Sequence, residues 1–107
     1  MTANGRRAVR FTPAAADDLD SAFAYVSEHD VAAAYALLSR LQQAVDRLAD
    51  FPDMGVTLSP EEFELVTPGV RFIVVEPYVV FYRAADAAIV VLRILHSRRD
   101  FLSELLG

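Results

Sequence analysis

The chain contains no cysteine and no lysine, and none of its apolar stretches approaches the length of a membrane span. Without cysteine there can be no disulfide and no thiolate metal site, which fits a reducing compartment. All ten cationic side chains are arginine, against fifteen acids, for a net charge of −5. A chain of this sign is not expected to hold nucleic acid by bulk charge. A spanning helix needs roughly 18 consecutive apolar residues. Met1–Asn4 is polar and runs into Arg6-Arg7 with no apolar signal-peptide core behind it. A phosphate-cradling glycine loop, a nucleophile triad and zinc-ligand spacing are all missing, so no cofactor or metal is expected. These absences point to a soluble cytoplasmic protein.

What is present is apolar side chain. Hydrophobic residues make up 54% of 107 positions, enough to bury a real core in one domain spanning residues 1–107 and too short a chain for a second. Acids crowd the first half and the 60s, whereas arginines outnumber acids after Val70. That asymmetry allows a local cationic edge on an acidic body.

Three runs rich in Val, Ile, Phe and Tyr lie close together: Arg71–Val75, Tyr78–Tyr82 and Ile89–Leu95. Glu76-Pro77 separates the first two and Ala84–Ala87 the last two, so they read as strands of an antiparallel meander. Upstream, Arg7–Thr12 alternates loosely and reads as a short strand, at a sheet edge or paired back to the meander. Thr12-Pro13 has the signature of a helix start, with Asp17 and Asp18 expected near the positive end of the helix dipole.

In that helix Ala15, Leu19, Ala22, Phe23 and Val26 recur at three- and four-residue steps, ending near Glu28-His29. Asp30 is a second N-cap. From Val31 to about Asp50, Val31, Ala34, Leu38, Leu41, Val45 and Leu48 form an apolar stripe. So short a link makes the two helices an antiparallel hairpin. Phe51-Pro52 stops the second helix. Asp53–Pro68 reads as loop with one extended turn near Phe63–Val66, and Phe101–Leu106 as a short C-terminal helix. The fold class is therefore α+β: a short strand, a helix hairpin packed on an antiparallel sheet, and a terminal helix.

Four segments narrow the identity further. They are Phe51-Pro52…Gly55 at the helix exit, Gly69-x-Arg71 opening a strand, Tyr78-Val-Val-Phe-Tyr82-Arg83, and Ile94-Leu95-His96-Ser97-Arg98-Arg99-Asp100. In this order and spacing, over about residues 8–101, the chain resembles the RelE/ParE toxin superfamily, and within it the ParE-type, plasmid-stabilisation branch. One position departs: family members often carry arginine directly after the glycine matching Gly55, and here it is Val56.

The resemblance implies the toxin of a type II toxin–antitoxin pair, bound as a hetero-oligomer by a cognate, ParD-like antitoxin. For the ParE branch it implies poisoning of DNA gyrase; for the RelE branch, cutting of mRNA on the ribosome. A third reading is a non-toxic member that only binds its antitoxin, which Val56 keeps open. Target- or antitoxin-binding candidates are Arg71, Tyr82, Arg83, Arg93, His96, Arg98 and Arg99. Metal-independent ribonuclease chemistry would need an acid–base, His96, and a phosphate clamp, Arg71 or Arg93.

Each candidate has a structural alternative. A lone histidine closing an apolar strand is more often structural than catalytic. Arg71 and Arg93 can serve as salt-bridge partners, and Tyr82 as a core residue with a satisfied hydroxyl. Arg83 is expected to open a turn, and Arg98 and Arg99 to lie exposed. The expectation is a non-enzymatic toxin that acts by binding.

Overall fold

A computed structural model describes residues 7–58 and 69–98. The elements run β1 (Ala8–Phe11), α1 (Pro13–Ser27), α2 (Val31–Asp50), β2 (Val56–Thr57), β3 (Val70–Val75), β4 (Tyr78–Ala84) and β5 (Ala88–His96). The five strands form one sheet in the order β1-β5-β4-β3-β2.

Both helix starts are capped as their sequences dictate. The Thr12 hydroxyl accepts from the Ala15 N–H at 3.0 Å, and Pro13 occupies the first turn. Asp30 Oδ1 accepts from the Ala33 N–H at 3.0 Å. Each cap satisfies a donor that the helix cannot satisfy itself. α1 turns Ala15 and Ala22 fully inward, with Leu19 and Val26 partly buried against them. Phe23 packs its ring edge-on to Tyr35 across the hairpin instead, with centroids 5.0 Å apart. α2 buries Ala34, Leu37, Leu41, Val45, Leu48 and Ala49. Leu37 thus takes a place expected of Leu38, and Val31 lies exposed in the first turn.

β3, β4 and β5 form the expected antiparallel meander, each slightly longer than the sequence suggests. Gly69 enters β3 with φ +91°, a conformation that side chains disfavour. A register shift between Phe81 and Tyr82 leaves Leu92 as the extra residue of a bulge in β5. The bulge lets Ile89, Val91 and Ile94 all face the helices although their spacing is not strictly alternate. With Ile73, Val75, Tyr78, Val80 and Tyr82 they complete the core beneath the hairpin.

Two features differ from the sequence reading. The sheet is mixed, because β1 pairs parallel to β5, Ala8 opposite Ala88 and Phe11 opposite Val91. β1 reaches β5 only through both helices and three further strands, so no tight turn imposes antiparallel pairing and the connection is long enough for a parallel pair. Second, Val56–Thr57, read as loop, forms β2 against Phe72 and Arg71. The expected turn at Phe63–Val66 and helix at Phe101–Leu106 lie outside the described residues.

Candidate functional site

The chain leaving α2 beside β1 must cross the end of the sheet to reach β2 at the other edge. Arg7 N–H bonds the Ala49 carbonyl at one side of this path, and Val56 pairs with Phe72 at the other. Tyr82 stands in the middle. Its ring is fully buried, its hydroxyl donates to the Pro52 carbonyl at 2.7 Å, and it accepts from the Gly55 N–H at 2.9 Å. Burial raises the phenol pKa above the ordinary tyrosine value, although the Gly55 N–H and the nearby Arg71 charge pull the other way. Gly55 is glycine because a Cβ there would meet the Tyr82 hydroxyl at 2.5 Å and the Phe72 carbonyl oxygen at 2.9 Å.

Arg71 finishes the fastening. Its Nη1 donates to the Gly55 carbonyl at 2.9 Å and to the Asp53 carbonyl at 3.2 Å, with the Asp53 carboxylate 3.8 Å from Nη2. The guanidinium expected to face a partner or a phosphate is thus engaged with its own chain.

Arg93 is engaged as well. Its Nε and Nη2 grip Asp18 in a two-pronged pair at 2.8 and 3.1 Å, and the same carboxylate accepts from the Ile94 N–H at 2.9 Å. Asp18 does not serve the helix dipole from the first turn as expected; it is turned to the sheet. Just upstream, Thr12 N–H and hydroxyl bond the carbonyls of Val91 and Leu92 at 3.0 and 2.9 Å. Where β1 ends, α1 therefore occupies the edge of β5 with side chains and backbone of its own.

His96 closes β5, half-buried, its ring edge-on to Tyr78 with centroids 5.3 Å apart. Its Nδ1 accepts from the Arg98 N–H at 3.2 Å. Arg98 is exposed in the turn that follows. Arg83 is exposed but lies within β4, opposite Val70 and Val90, and does not open a turn. Tyr82, counted among the binding candidates, has no surface to offer a partner: it is core. Arg99 lies outside the described residues.

The pairing register shows which of these residues meet. Arg71 pairs with Tyr82 and His96 with Tyr78, so both belong to the helix-bearing face, at opposite ends of β4. Strand spacing and rise put their Cα atoms roughly 16 Å apart. Arg93 pairs with Phe81, whose side chain belongs to the other face. Arg71 and His96 therefore do not adjoin across the sheet, and Arg93 is engaged by Asp18. Among the described residues no cluster of three His, Asp or Glu could hold a metal ion, and no helix is long and apolar enough to cross a membrane.

Sequence reasoning passed over a surface groove. Between β1 and α2 lies a cleft of about 380 Å³ lined by Val9, Phe11, Gln42, Gln43, Val45 and Asp46. A smaller apolar pocket continues it past Phe11 to Leu19, Leu38, Leu41 and Ile94. The available signal was the alternation that puts Val9 and Phe11 on one side of a short edge strand; the structure leaves the Phe11 ring exposed there.

A helix hairpin laid over a five-stranded mixed sheet, with a groove along one edge, defines a small α+β domain. The comparisons make this specific. Residues 9–101 match the model of the ParE toxin of type II toxin–antitoxin systems. Toxin ParE3 of Caulobacter vibrioides is 35% identical over 100 residues, covering 92% of this chain and 94% of that protein. Toxin RelE2 of the same organism is 34% identical over 82 residues, covering 77% and 85%. Among solved structures, a chain of the chromosomal ParDE toxin–antitoxin system of P. aeruginosa superposes with a TM-score of 0.66 at 26% identity, covering 86% of this chain and 97% of that one. A chain of the RelBE2 toxin–antitoxin complex of Mycobacterium tuberculosis shares the fold, with a TM-score of 0.56 at 23% identity and 85% and 91% coverage. The chain belongs to the ParE toxin family of type II toxin–antitoxin systems.

Proposed function

We propose that this toxin acts in the cytoplasm by binding DNA gyrase, without catalysis of its own, and that a cognate ParD-like antitoxin neutralises it. The observation that supports binding over cutting is the engagement of the two strand arginines. Arg71 is tied to the carbonyls of Asp53 and Gly55, and Arg93 to the carboxylate of Asp18. A metal-independent ribonuclease would need such groups aimed at phosphate beside an acid–base. Here the histidine that closes β5 is at the far end of β4 from Arg71, and the Arg93 guanidinium is held by Asp18 of α1. The family match along the ParE branch points the same way.

The solved neighbours come from toxin–antitoxin systems, which supports an antitoxin partner. The groove beside β1 suits an extended or helical segment of such a partner. It pairs an exposed strand edge with apolar floor and polar rim. The similarity to Toxin RelE2 sustains a second reading, ribosome-dependent mRNA cleavage using His96.

A supercoiling assay decides between them. The purified chain titrated into gyrase, ATP and relaxed plasmid is expected to abolish supercoiling and trap cleaved plasmid, with antitoxin reversing both. Intact supercoiling, together with mRNA cleavage on ribosomes that His96→Ala abolishes, would replace this reading by the second.

A further inference from the structure

The segment that crosses the end of the sheet carries three large apolar side chains on its outer side: Phe51, Met54 and Val56, at 61%, 43% and 59% exposure. It is also fixed more heavily than a connecting loop requires. The Phe51 carbonyl accepts from the Met54 N–H, and the Pro52 carbonyl from Tyr82. The Asp53 and Gly55 carbonyls accept from Arg71, and the Gly55 N–H is taken by Tyr82. Three apolar side chains are thus held out on a backbone with almost no freedom left, an arrangement that lowers the ordering cost of a contact.

We infer that Phe51, Met54 and Val56 form the toxin's contact with its protein target, entering an apolar pocket on that folded partner. Three observations select this occupant. The carbonyls of Phe51, Pro52, Asp53 and Gly55 are all occupied, so the crossing segment ahead of β2 has little main chain to offer an added strand; it presents side chains. Among the described residues the exposed charges beside it in the chain and at its fastening are Arg47, Asp50, Asp53 and the partly exposed Arg71, two of each sign, a balance that gives phosphate or an anionic lipid surface no local excess of positive charge. An apolar centre within a mixed-charge rim is the anatomy of a protein–protein contact, in which a few anchors carry most of the binding. The loop also stands apart from the groove lined by Val9 and Val45, leaving that groove for a different partner.

This inference rests on the reading that the toxin binds a protein, and the experiment separates the two. Met54→Glu/Val56→Glu and the milder Met54→Ser are compared with wild type for melting, capture by antitoxin, growth arrest on expression without antitoxin, and gyrase supercoiling. The expectation is unchanged melting and antitoxin capture, with about tenfold or more protein needed for growth arrest and for loss of supercoiling in the double variant. Met54→Ser is expected to lie between. Should wild type arrest growth without touching supercoiling while the folded double variant is harmless, the contact stands and gyrase is not the target. A folded variant as potent as wild type in both assays overturns the contact. So does a folded variant that has lost antitoxin capture, since the loop would then belong to the antitoxin's interface.

Discussion

Tyr82 spends its one polar atom on two backbone groups of a crossing loop, and its removal has a defined cost. Tyr82→Phe keeps the buried ring but strands the Gly55 N–H and the Pro52 carbonyl. Leaving buried polar groups unpaired costs about 1–3 kcal/mol, read as a lower urea midpoint at unchanged slope. Gly55→Ala is expected to cost at least as much, because the obstructing Phe72 carbonyl belongs to a paired strand and cannot swing aside. The raised phenol pKa adds a pH signature. The unfolded chain releases this proton near pH 10 and the folded one only higher, so the folded state holds more protons in between. The contribution is whole below about pH 10 and is lost as pH rises toward the folded value. Unfolding midpoints at about pH 8 and about pH 10.5 should therefore fall further for wild type than for Tyr82→Phe.

At the scale of elements, the first turns of α1 do the work of an absent strand. β1 stops opposite Val91, and beyond it Thr12 and Asp18 take the edge groups of β5. Asp18→Ala removes the carboxylate shared by Arg93 and the Ile94 N–H, and is expected to destabilise by about 1–3 kcal/mol. A double-mutant cycle with Arg93→Met should show coupling of about 1 kcal/mol or more, since the two contacts share one carboxylate. The helix limits, the caps at Thr12 and Asp30 and the meander were all legible in the sequence, because periodicity, capping and turn residues are local signals. β2 was not: two residues have no periodicity, and Val56–Thr57 is strand only because β3 lies beside it. The role of Asp18 was not legible either. A carboxylate in an early helical turn reads as a dipole partner, and nothing local reveals an arginine 75 residues away. For the site, sequence placed Arg71, Arg93 and His96 in or ending strands but could not assign faces, which the bulge at Leu92 and the pairing register determine.

For the whole molecule the consequence is a division of surfaces. The groove between β1 and α2 and the fixed loop with Phe51, Met54 and Val56 share no lining residue, so under the proposed reading capture by an antitoxin and action on a target are expected to be separable by mutation. Under the proposed reading His96→Ala leaves growth arrest and gyrase inhibition within about twofold of wild type, as expected of a residue that neither transfers protons nor contacts the target. Growth curves on induction without antitoxin check this directly, and a loss of a hundredfold or more would restore His96 to a catalytic role.

The brevity of β1 has a consequence of its own. Ala8 and Thr12 donate inward to the carbonyls of Ala87 and Val91, which leaves the main chain of Val9 and Phe11 facing outward. Main-chain pairing is blind to sequence, and an edge this short can contribute only a few such bonds to any strand that lies against it. Whatever binds there has to be recognised through side chains. With only four residues in β1, selectivity at this edge is therefore expected to reside in side-chain contacts, because the main chain offers too little pairing to hold every extended segment alike.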